Sequence, residues 1–99
     1  MGDTQIVPAP RPIKKYIANG PRCFDVYIDP EDNKVYVELN VEDSNKVRSA
    51  MKHPRKPISD REICDISDYL KTNGNPFASL EGAEECLERG FRILEKIDL

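Results

Sequence analysis

The chain predicts an α+β fold, a small antiparallel β-hairpin or three-stranded meander followed by three helices packed on one of its faces. Three observations predict it. Apolar residues recur with period two from Cys23 to Val41. They recur with helical spacing from Val47 onward, and the two regimes follow one another instead of alternating. Strands grouped ahead of helices give an antiparallel sheet rather than parallel β-α-β units.

The order of elements begins with residues 1–12, where Pro8, Pro10 and Pro12 occupy alternate positions. Proline fixes φ and removes an amide donor, so this stretch reads as a flexible, extended arm ahead of a single domain over 13–99. Residues 13–18 offer a first strand turning through Asn19-Gly20, the dipeptide of a type I′ turn, with Pro21 following where a closing N–H is expected. A two-residue turn there sets Lys14 beside Asp25. Phe24, Val26 and Ile28 then alternate with polar partners, Pro30 to Asn33 make a turn, and Val35, Val37, Leu39 and Val41 alternate again. Both apolar sets share one face when Ile28 pairs with Val35 and Val26 with Val37. The same register stacks Tyr27 beside Tyr36 and Asp25 beside Glu38 on the other face.

A short helix begins at Glu42 or Asp43 with Val47, Ala50 and Met51 as its apolar stripe, and ends before Pro54. Ser59 and Glu62 stand at the spacing of a capping box, opening a second helix whose buried side is Ile63, Ile66, Tyr69 and Leu70; Asn73-Gly74 stops it. Ser79 caps the last and longest helix, with Leu80, Ala83, Leu87, Phe91 and Leu94 along one face.

Composition narrows function. The formal net charge is −3 over 99 residues, with 38% hydrophobic and 33% charged. The charge is unevenly spread: residues 1–57 carry 10 Lys/Arg and 8 Asp/Glu, residues 58–99 carry 5 and 10, so the halves stand at +2 and −5. Between them lies the basic segment Lys52-His53-Pro54-Arg55-Lys56-Pro57. No run suits a membrane span and the first residues lack an apolar signal core, so a cytoplasmic protein is expected. Cys23, Cys64 and Cys86 form no CxxC pair and His53 is the single histidine, which supplies neither a zinc set nor a catalytic triad. The cysteines read as reduced thiols, two of them buried on helices. No metal, cofactor or catalytic residue is expected.

The expectation is therefore a small non-catalytic, regulatory protein, of the accessory or inhibitor type that phages encode, docking on a macromolecule through charged surfaces. Glu81, Glu84, Glu85 and Glu88 lie at i, i+3, i+4, i+7 and stack on one helical stripe. With Asp65 and Asp68 they make an acidic surface for a partner protein, itself basic or nucleic-acid-binding. Phe77 at a loop tip, or Tyr27 and Tyr36, would be the aromatic anchors. A homodimer would add stability to so small a core. The alternative is weak single-stranded DNA or RNA binding through Lys14, Lys15, Arg48, Lys52, Arg55 and Lys56, which flank the hairpin tyrosines.

Overall fold

The computed structural model describes residues 11–99, so the proline-rich arm lies almost wholly outside the described residues. The chain is α+β. It runs β1 (Lys14–Ala18), β2 (Arg22–Ile28), β3 (Val35–Asn40), α1 (Val41–Ala50), α2 (Asp60–Thr72), α3 (Leu80–Gly90) and β4 (Ile93–Asp98). The strands form one antiparallel sheet in the order β3-β2-β1-β4.

The β2–β3 hairpin has the register that the alternation requires, with Ile28 opposite Val35, Val26 opposite Val37, Tyr27 opposite Tyr36 and Asp25 opposite Glu38. Asn33 closes its turn at φ 57°, a conformation asparagine tolerates. The β1–β2 turn departs from expectation. Ala18 pairs with Arg22, so Asn19, Gly20 and Pro21 make a three-residue loop, and only Gly20 has positive φ (146°). Proline cannot donate the amide that a two-residue turn would need, so it joins the loop. The pairing slips by one residue, and Lys15 rather than Lys14 sits opposite Asp25.

The larger correction is at the C-terminal end. The last helix does not extend through Leu94. It stops at Gly90, and the chain returns as β4 against β1, making four strands. Gly90 lies under the Tyr69 ring, where a Cβ would come within 2.4 Å of Cζ, and Phe91 takes an extended conformation as C-cap. Beyond it Ile93, Glu95 and Ile97 alternate with strand period, which outcompetes the helical spacing that ends on Phe91 and Leu94.

The inner face of the sheet buries Tyr16, Phe24, Val26, Val35 and Val37 against Ile66 and Leu70 of α2 and Ala83, Cys86 and Leu87 of α3. The helices do not all share that face. Helix α1 lies against the outer one, and its buried residues are Ser44 and Arg48 rather than Val47, Ala50 and Met51. Ser44 is fully buried because its Oγ accepts from the Cys23 amide (2.8 Å) and donates to the Asn40 carbonyl (2.7 Å). Hydrogen bonds to strand backbone, which no sequence period reports, choose the face of this helix. Asn40 caps it by accepting from the Asp43 amide.

Candidate functional site

The sheet has two lateral edges, and they are treated differently. At β3, Val35 and Phe77 exchange both backbone hydrogen bonds (2.9 and 2.6 Å). Asn75 extends the pairing with its side chain, Oδ1 accepting from the Val37 amide (3.1 Å) and Nδ2 donating to its carbonyl (3.0 Å). The loop after α2 thus serves as a short pseudo-strand. Phe77 is 5% exposed and belongs to the core, so it is not an exposed anchor.

At β4, the Leu99 amide donates to Ile13 O (3.0 Å), and Lys15 lies opposite Ile97 and Ile17 opposite Glu95. Alternation along an antiparallel ladder directs the backbone groups of odd-numbered residues 95, 97 and 99 to β1 and those of Lys96 and Asp98 away from the sheet. Among the described residues no element pairs with that side. The register jumps from Ile17–Glu95 to Ala18–Ile93, leaving Leu94 as the extra residue of a bulge. The bulge turns Leu94 outward, where it is 57% exposed.

Each face of the sheet contributes a different surface beside β4. On the outer face, Leu94 joins Ile17, Val47 and Met51 around a mainly apolar groove of about 380 Å³, also lined by the Asn19–Pro21 loop, Arg55 and Glu95. On the inner face lies an acidic cleft of about 370 Å³ between Lys14 and the α3 residues Glu81, Glu84, Glu85 and Glu88. The stripe expected from spacing is real, but its members are not equivalent. Lys96 of β4 donates to Glu84 (2.7 Å) and Glu88 (2.9 Å), and the buried Tyr16 hydroxyl donates to Glu84 (2.8 Å). The hydrogen bonds from Lys96 and then Tyr16 hold the Glu84 carboxyl below the usual carboxylate range. Burial, and then the Glu84 hydrogen bond, raise the Tyr16 hydroxyl above its ordinary value. Glu84 is therefore partly a fold residue, while Glu81 and Glu85 are exposed.

The remaining candidates are scattered. Asp65 and Asp68 are exposed on α2; Asp65 borders a shallow depression with Arg22, Tyr69 and Phe91, separate from the α3 cleft. Tyr27 and Tyr36 stack on the outer face with centroids 6.0 Å apart, their hydroxyls donating to Glu38 and Asp32. Burial and the Glu38 carboxylate push the Tyr27 hydroxyl up to about 12.

The six cations considered for nucleic acid do not share a face. Lys14 and Lys15 are adjacent on a strand and point to opposite sides, toward Asp98 and Asp43 respectively. Arg48 is 6% exposed and acts as an internal clamp: Nε donates to Pro21 O (3.0 Å), Nη1 to Lys56 O (3.1 Å) and Nη2 to Glu62 (3.1 Å). Lys52, Arg55 and Lys56 remain exposed on the 51–57 segment, which is tied down at its end by Asn45 accepting from the Ile58 amide. Glu62 also accepts from Arg22 (3.0 Å). Burial pushes its carboxyl upward, but Arg22 and Arg48 outweigh that and leave it below the usual range. The Ser59 hydroxyl caps α2 as expected, yet Glu62 is drawn to the two arginines.

The free thiols also divide. Cys86 on α3 and Cys23 are buried, but Cys23 is on a strand, and Cys64 of α2 is exposed. Burial raises the Cys23 thiol above its ordinary value. Among the described residues no cluster of three His, Cys, Asp or Glu side chains is arranged to hold a metal ion, and no helix is long and apolar enough to cross a membrane. No protein-family model matches the chain, and no curated protein or solved structure shows significant similarity to it.

Sequence reasoning did not reach the β4 edge, the outer groove or the Arg48 clamp. The alternation of Ile93, Glu95 and Ile97 after Gly90 was the available signal for the first. The other two depend on contacts between residues distant in the chain.

Proposed function

We propose that this chain is a non-catalytic protein-binding module that acts by occupancy, as an accessory or inhibitor-type regulator, and that it docks through the β4 side of its sheet. One observation carries the reading. The β3 edge is covered by the chain's own Asn75–Phe77 segment, whereas β4 offers an edge that pairs with no other element among the described residues, with an apolar groove on one side and an acidic cleft on the other. Unpaired strand edges are usually blocked, and one beside exposed apolar surface marks a place where another chain pairs. The raised Cys23 thiol and the position of His53 in an exposed linker also favour binding over chemistry. Nucleic acid is the weaker reading, because its cations are divided between two faces and a buried clamp.

The test is affinity capture from a native lysate with the wild-type chain, a Leu94→Lys/Met51→Lys variant, and a Lys52→Ala control on the exposed linker. The partner should be retained by wild type and control and lost by the double variant, with unchanged circular dichroism in all three. Equal capture by all three ends this reading.

A further inference from the structure

Resting on the reading of the β4 side as a docking face, we infer that its occupant is an extended segment of a partner protein that adds to β4 as a fifth strand and alternates basic with apolar residues. The backbone sets the mode. Lys96 and Asp98 direct their amides and carbonyls outward, so a strand can continue the antiparallel ladder there. The two faces set the chemistry, because successive side chains of an added strand point to opposite sides.

On the inner side such a strand runs beside Lys96 and Asp98 and below α3. The acids there are Glu81, Glu84, Glu85, Glu88 and Asp98, the bases Lys14 and Lys96; five against two leaves a net of −3. Lys96 is already held by Glu84 and Glu88, and the Asp98 side chain is 86% exposed. Every second residue of the added strand therefore meets an excess of negative charge, which lysine or arginine complements. On the outer side the intervening residues meet Leu94 and Ile97 and the groove wall of Ile17 and Val47, a mainly apolar surface bordered by Glu95, where apolar side chains gain by burial. Basic-apolar alternation satisfies both faces at once.

A second copy of this chain fits less well. Pairing β4 with β4 about a twofold axis perpendicular to the sheet keeps both α3 helices on the same side and brings their acidic rims toward each other, a like-charge contact. A phosphate backbone meets the same repulsion.

The experiment uses labelled synthetic peptides of about seven residues, a common strand length. One alternates Lys with Val, a second replaces Lys by Glu, and a third is the Lys-Val peptide N-methylated on its lysines, whose amides would face Lys96 and Asp98, so that this edge cannot donate. Fluorescence anisotropy should show the Lys-Val peptide binding at least about tenfold tighter than the Glu-Val peptide at low salt, with the difference shrinking as salt rises. The N-methylated peptide should lose binding. Glu81→Lys/Glu85→Lys should invert the preference, because both residues are exposed and neither is hydrogen-bonded to β4. On binding, the amides of Lys96 and Asp98 should gain protection from hydrogen exchange while those of Tyr36 and Glu38 do not.

Equal affinity for the two charged peptides, protection away from β4, or a dimer that the peptide leaves intact would each overturn the inference. The two levels separate cleanly. A lysate partner that needs Leu94 and Met51 while the peptides show no charge preference removes the strand inference and leaves the docking face standing. A partner indifferent to Leu94 and Met51 removes the docking face itself.

Discussion

The two edges of this sheet solve one problem in different ways. A strand edge carries unpaired amides and carbonyls that invite another chain. At β3 the chain answers with its own atoms: Phe77 supplies a backbone pair to Val35, Asn75 imitates the next one, and the Phe77 side chain enters the core. At β4 no described segment answers, and the edge is guarded only by Glu95, Lys96 and Asp98. Covering by a buried segment excludes every partner. Guarding by charge deters a neutral strand while leaving a complementary one free to pair. The difference separates an edge closed by the chain itself from one left open among the described residues.

Breaking the closed edge should have the largest effect. Phe77→Ala removes a buried aromatic that holds the loop on β3, and a loss of about 3–5 kcal/mol is expected for such truncations. Urea unfolding followed by circular dichroism measures it, and a loss below about 1 kcal/mol would mean that the loop does not plug the core. Asn75→Ala should cost less, about 1–3 kcal/mol, since it leaves the Val37 amide and carbonyl without their partners but spares the apolar contact. It should also make β3 competent for pairing, visible as concentration-dependent association beyond that of wild type. A variant no more associated and no less stable than wild type would deny Asn75 its role as pseudo-strand.

A comparable loss is expected where α3 gives way to β4. Alanine at Gly90 places a methyl against the Tyr69 ring, which is fixed by its hydroxyl donating to Cys86 O (2.8 Å) and by an edge contact with Phe91 at 5.4 Å. Moving that ring should cost about 1–3 kcal/mol. Denaturant unfolding measures the cost, and an unchanged midpoint would show that the ring yields freely.

These sites also mark how far the sequence could be read. The β2–β3 register was legible because two alternating runs flank a compact turn, and parity alone aligns Val26 with Val37. The β1 register lies one residue away from the expected one, since Asn19-Gly20 favours a two-residue turn but Pro21, lacking an amide, lengthens the loop to three. For β4, the helical spacing from Leu80 to Leu94 contains the true helix and then coincides with a strand residue. The acidic stripe on α3 was visible from spacing, but not that Lys96 and Tyr16 would claim Glu84. Closure of β3 joins residues 38 apart in the chain, and no local pattern announces it.

Acidity probes the clamp between the two halves of the molecule. Glu62 has a folded-state pKa depressed by Arg22 and Arg48, so the stability it contributes is fully present above the ordinary glutamate value and is lost as pH falls through the lower, folded value. Glu62→Gln should flatten the acid limb of the stability profile below about pH 4.5, the region in which an unfolded glutamate begins to protonate. An acid limb identical to wild type would show that the two arginines find other partners.

The smallest effect on stability, and the sharpest test of the contrast, belongs to the open edge. Leu94 is 57% exposed on a bulge, so Leu94→Lys removes little buried apolar surface and introduces a charge into water. Its unfolding free energy should stay within about 0.5 kcal/mol of wild type, as for most surface substitutions. The same exchange at Phe77 would bury a lysine and should leave no folded protein at all. Binding should follow the opposite order: Leu94→Lys places a cation at the mouth of the apolar groove and should abolish capture of the partner that a folded, Lys52→Ala control retains. Paired measurements of denaturation midpoint and partner capture therefore decide whether stability and recognition are divided between the two edges. A Leu94→Lys chain that loses several kcal/mol would make β4 a structural edge like β3, and the contrast would collapse.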